Sequence, residues 1–97
     1  MTPIRWSSRA SADLQAIQDF IAQDSPHHAG EVACRIIKGA DSLPDSPRLG
    51  RVVPEQRDPL VRELIIGAYR LVYRIEENAI EVMTVFHGAR RFRRESR

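Results

Sequence analysis

A chain of 97 residues has room for one domain with a modest core and not for two. Its apolar share of 42% and charged share of 29% are ordinary for a soluble globular protein, and the net charge of +2 is modest. No apolar run approaches the ~20 residues of a membrane span, the opening MTPIRWSSRA lacks the apolar stretch of a signal peptide, and the lone Cys34 has no partner for a disulfide or a metal cluster. The expected compartment is therefore the reducing cytosol.

Ile4-Arg5-Trp6 is a short extended segment fit to add a strand, with Trp6 against the core. Ser7, Ser8 or Ser11 can cap the helix that follows, because a hydroxyl accepts from the unbonded N–H groups of a first turn. Leu14, Ile17, Phe20 and Ile21 then recur at helical spacing, with Asp13, Gln15, Gln18 and Asp19 outside. Asp24-Ser25-Pro26 ends this helix and starts a second, Ser25 as cap and Pro26 at the first helical position. Ala29, Val32, Ala33, Ile36, Ile37, Ala40 and Leu43 form the second helix's apolar stripe, with Cys34 at its margin as a small buried residue. The result is an antiparallel helical hairpin over about residues 8–43. Residues 44–59 hold four of the six prolines and read as an ordered loop, in which Arg51-Val52-Val53 adds an edge strand stopped by Pro54.

From about 60 to 87 the chain reads as three strands rich in branched and aromatic residues, broken at Gly67-Ala68 and at Glu76-Glu77-Asn78. Alternation places Tyr69, Leu71, Tyr73 and Ile75 on one face and Arg70, Val72 and Arg74 on the other. In the last strand it sets Ile80, Val82, Thr84 and Phe86 against Glu81, Met83, Val85 and His87. The expected fold is thus α+β: a helical hairpin packed on a small antiparallel sheet. Its core is Leu14, Ile17, Ile21, Val32, Ile36 and Ile37 against Leu71, Tyr73, Ile80, Val82 and Phe86. Arg70, Arg74, Glu81 and His87 would then share the outward face.

Beyond the sheet, residues 88–97 hold five arginines against Glu95, a local +4 that leaves −2 for the rest of the chain. Such a tail attracts phosphates or an acidic protein segment. Arg74, Arg90, Arg91, Arg93 and Arg94 are the candidate contacts to a target or to phosphate. Metal-free cleavage of a phosphodiester needs an acid or base near neutrality and a cation for the developing charge. His87 and Arg70 fit these roles, with Glu55 of the loop as a second acid or base. Arg70 and Arg74 equally fit ion pairs with Glu81 or Glu63. His27-His28 makes no metal site, since adjacent helical residues diverge and no further ligand completes a set; no metal or cofactor is expected.

Several pieces together resemble one family: Ala12-x-Leu14-x-x-Ile17 with Phe20-Ile21, Leu43-x-x-x-Pro47-x-x-Gly50-Arg51, Arg62-Glu63-Leu64, Tyr69-Arg70-Leu71-Val72-Tyr73, and Val85-x-His87-Gly88-Ala89-Arg90-Arg91. Their order resembles the RelE/ParE superfamily of bacterial toxins from type II toxin–antitoxin pairs, and within it the ParE branch, over about residues 4–91. The resemblance implies a compact toxin neutralised by a cognate antitoxin whose C-terminal part folds over it in a hetero-oligomer. RelE-like members cut mRNA on the ribosome without metal; ParE-like members inhibit DNA gyrase. Arg70 lies where some mRNA-cleaving relatives keep a catalytic arginine, and His87 and Glu55 correspond to a histidine and a loop glutamate. Gly88 replaces the aromatic residue that usually follows that histidine, and Lys38 is the one lysine. The His87-to-Arg91 ending is more like ParE, so gyrase inhibition ranks above RNA cleavage.

Overall fold

The computed structural model describes residues 2–88. In chain order the elements are β1 (Ile4–Trp6), α1 (Ser8–Ala22), α2 (Pro26–Asp41), β2 (Arg51–Val52), β3 (Val61–Ile66), β4 (Tyr69–Ile75) and β5 (Ile80–His87). Ser7 caps α1, its hydroxyl oxygen accepting from the Ala10 N–H at 3.0 Å. The same hydroxyl donates to the Met83 carbonyl at 3.0 Å, so one side chain starts the helix and fastens it to the sheet. Ser25 caps α2 in the same way, with Pro26 where a missing N–H costs nothing. No helix among the described residues is long and apolar enough to cross a membrane.

Five strands form one sheet in the order β1-β5-β4-β3-β2. The three long strands pair antiparallel, and β2 joins as the expected edge strand. β1 runs parallel to β5, Ile4 beside Ile80 and Trp6 beside Val82, so the sheet is mixed and not wholly antiparallel. A chain that leaves β1 directly into a helical hairpin and comes back through a loop enters the sheet from the far edge, which permits that parallel pairing. β3 turns into β4 through Gly67-Ala68, with Gly67 at φ +59°, the left-handed backbone a two-residue hairpin needs.

The helices cover one face. Val32, Ile36, Ala40 and Leu43 pack with Ile66, Leu71, Tyr73, Ile80, Val82 and Val85, and Leu14, Ile17 and Ile21 close the rim. The opposite face carries a second, smaller apolar cluster of Val53, Val61 and Val72 with Met83 and Phe86. That second cluster corrects the expected layering. Between Val72 and Tyr73 the β4–β5 register shifts: Val72 faces Thr84, Tyr73 faces Val82, and Met83 is left without a direct partner. One extra residue reverses the alternation beyond it. Ile80 and Val82 face the helices as expected, but after the bulge Val85 takes the core position, and Phe86 moves to the outer face. Two helix expectations also change. Ile37 is 41% exposed and Cys34 is exposed, because only the Val32–Ile36–Ala40 stripe meets the sheet. Phe20 lies outside as well, at 73% exposure.

Candidate functional site

Directly paired residues of an antiparallel ladder share a face. Arg70 pairs with Phe86, and Tyr69 pairs with His87. Arg70 therefore stands on the outer face, its guanidinium carbon 5.2 Å from the centre of the Phe86 ring. The His87 imidazole is on the helix side, edge to face with Tyr69 at 5.6 Å between ring centres. This corrects the expectation that His87 joins Arg70, Arg74 and Glu81 on one face, and the cause is again the bulge at Met83. Both side chains still border one open groove at the end of the sheet, between Arg51, Gly67 and Gly88. They reach it from opposite sides.

Glu63 organises the outer face. Its carboxylate has no solvent exposure, and each of its oxygens meets a different arginine. Oε2 accepts from Arg51 Nε at 2.5 Å. Oε1 accepts from Arg70 Nε at 2.9 Å and also from the Arg70 terminal amino group, a two-toothed contact. A charge buried this deeply is held only when such partners surround it. Arg70 is itself mostly buried, at 12% side-chain exposure, while Arg51 extends outward at 67%. One strand, β3, thus binds β2 and β4 through a single carboxylate.

The loop is attached next to this cluster. Gly50 lies so close to β3 that a Cβ there would sit 2.5 Å from the Glu63 carbonyl oxygen. The Gly50 N–H donates to the buried Tyr73 hydroxyl at 2.9 Å, and that hydroxyl donates to the Pro47 carbonyl at 2.7 Å. Burial pushes the Tyr73 phenol above its ordinary 10.0, against the Gly50 N–H bond and Arg62, which act the other way. Arg62 adds a bond to the Gly50 carbonyl at 2.9 Å.

Arg74 pairs with Asp58 at 3.0 Å and stands opposite Glu81 across the ladder. The Asp58 carboxyl is held below its ordinary 3.8, chiefly by the Leu60 N–H, with burial opposing and Arg74 assisting. Glu55 stays on the loop and does not line the groove of Arg70 and His87. Its Oε1 is buried with no hydrogen-bond partner among the described residues. Arg90, Arg91, Arg93 and Arg94 lie outside the described residues, and no cluster of three potential metal ligands occurs among those described.

Sequence reasoning named Glu63 as one of two possible partners for Arg70, but missed that it also takes Arg51. A signal was present. Glu63 alternates with Val61 and Ile65, so a lone acid occupies a position that the pattern reserves for apolar side chains. On the other edge it missed Asp13 of α1, whose Oδ2 accepts from both the Thr84 hydroxyl and the Val85 N–H of β5. That carboxylate covers the part of β5 that three-residue β1 leaves bare.

Residues 4–92 match the family described as ParE toxin of type II toxin-antitoxin system, parDE. The chain is 34% identical over 90 residues to Toxin RelE2 of Caulobacter vibrioides, covering 93% of this chain and 99% of that one. It is 36% identical over 87 residues to Putative toxin Y4kP of Sinorhizobium fredii, covering 88% and 86%. Among solved structures it is similar to a chain of the chromosomal ParDE TA system from P. aeruginosa, with a TM-score of 0.75 at 23% identity over 90% and 96% of the two chains. A chain of the toxin-antitoxin complex RelBE2 from Mycobacterium tuberculosis gives 0.63 at 21% identity over 89% and 96%. A sheet covered by a capped helical hairpin, a loop tied down at Gly50 and a family match along nearly the whole chain agree: this chain belongs to the ParE toxin family of type II toxin–antitoxin systems.

Proposed function

We propose that this toxin acts in the cytosol by poisoning DNA gyrase through protein contacts, and that a cognate antitoxin neutralises it by folding its C-terminal segment over the surface. The observation that carries the reading is the state of Arg70. Its guanidinium is engaged by a buried carboxylate and lies across the sheet from His87. Metal-free phosphodiester cleavage needs a cation and an acid or base converging on one phosphate, whereas here the Arg70 fork is taken by Glu63 and His87 reaches the shared groove from the other face. A contact-based mode of action needs no such convergence. In a supercoiling assay, purified toxin should inhibit gyrase; full activity of gyrase at micromolar excess of toxin would remove the proposal.

A second reading is a ribosome-dependent mRNA endoribonuclease. What favours it is the groove at the sheet end, which both Arg70 and His87 border. Primer extension on translated mRNA distinguishes the two. New cleavage ends that vanish in His87→Ala, with gyrase unaffected, would establish the enzyme.

A further inference from the structure

The buried Glu63 carboxylate entered the first reading only as the group that holds Arg70, yet its surroundings are those of a bound anion. Two guanidinium groups, from two different strands, converge on two oxygens of one group. The contact from Arg70 is the side-on, two-bond arrangement that guanidinium makes equally with carboxylate and with phosphate. The aromatic ring of Phe86 backs the Arg70 plane, which keeps it oriented without supplying a competing acceptor. On the solvent side the site opens into the groove bordered by Gly67, Gly88 and His87, and Arg51 reaches out beside it.

We infer that Arg51 and Arg70 form an anion site filled by the chain's own Glu63 carboxylate, and that this internal anion keeps nucleic-acid phosphates out of the groove between Arg70 and His87. The charges set the sign. Glu63 cuts the charge of the two arginines from two to one, and the Arg70 fork that a phosphate in the groove would need is already filled by its carboxylate. Replacing that carboxylate by its neutral amide doubles the local charge and releases the Arg70 fork without changing the size of the side chain. The inference concerns the groove and not the cellular target, so the gyrase result leaves it untouched.

The test is anisotropy of a short labelled single-stranded RNA with full-length protein at low salt, where the basic tail contributes equally to every variant. Glu63→Gln should bind about tenfold more tightly than the natural chain, and its affinity should fall more steeply with salt by about one phosphate contact. The double variant Glu63→Gln/Arg70→Gln should return to the natural affinity. A Glu63→Gln protein with a native circular dichroism spectrum but unchanged RNA affinity overturns the inference. Should that variant fail to fold, the natural protein still decides. Its Arg70 Nε–H resonance should stay in place as inorganic phosphate is added, and a saturable shift of that resonance overturns the inference.

Discussion

Removing the Glu63 carboxylate while Arg70 remains would leave a guanidinium of 12% exposure against an apolar cluster. Glu63→Leu should therefore lower unfolding free energy by about 3–5 kcal/mol, the cost of stranding one half of a buried pair. Arg51→Ala should cost less, about 1–3 kcal/mol, since it leaves Glu63 Oε2 without its partner but opens that oxygen to water where the exposed Arg51 side chain stood. Urea unfolding followed through Trp6 fluorescence measures both. Tyr73→Phe removes an acceptor for the Gly50 N–H and a donor to Pro47, so about 1–3 kcal/mol should go, with faster amide exchange in residues 47–51. The pH effect has a definite sign. The folded phenol holds its proton more tightly than the unfolded one, so Tyr73 stabilises fully below pH 10.0 and loses this as pH rises through the folded value. Tyr73→Phe should flatten that alkaline decline. At this scale the chemistry was partly legible: a pair between Arg70 and Glu63 was among the expected ones, but its burial and its second arginine depend on β2 lying beside β3, and that needs the loop's path.

Elements were more legible than their registers. Both helix starts follow from a serine before the apolar stripe, and Ser7→Ala should cost about 1 kcal/mol through the cap alone, with a further loss because Met83 gives up its hydroxyl donor. The parity of β5 was not legible. Val82, Met83, Thr84 and Val85 are all acceptable on either face, so no polar residue marks where the alternation breaks, and strict period two was the natural extrapolation. Ile37 and Phe20 misled for another reason: a helix can be apolar over a wider arc than a narrow sheet can cover. In the loop before β3, Asp58 accepts from the Leu60 N–H and from Arg74. Its folded carboxyl ionises below the ordinary 3.8, so its contribution is present above that value and disappears as pH falls through the folded one. Asp58→Asn should remove part of the acid-side loss of stability, read from urea midpoints at successive pH values.

For the whole molecule, fold and family follow from the same ordered pieces of sequence, whereas the target does not, because a toxin that works by contact and one that works by cleavage can share every buried residue. Charge is unevenly spread: +4 in residues 88–97 against −2 elsewhere. If the antitoxin segment is acidic, calorimetric affinity should weaken with added salt, and a chain ending at Gly88 should lose most of that dependence. Met83 has a wider consequence. Deleting that single codon would remove the bulge yet leave Thr84, Val85, Phe86 and His87 opposite Val72, Leu71, Arg70 and Tyr69, so His87 would stay on the helix side and Phe86 beside Arg70. The bulge thus absorbs one residue of strand length locally, and a single-codon indel at that point can come or go while Arg70 and His87 keep their opposite sides of the sheet.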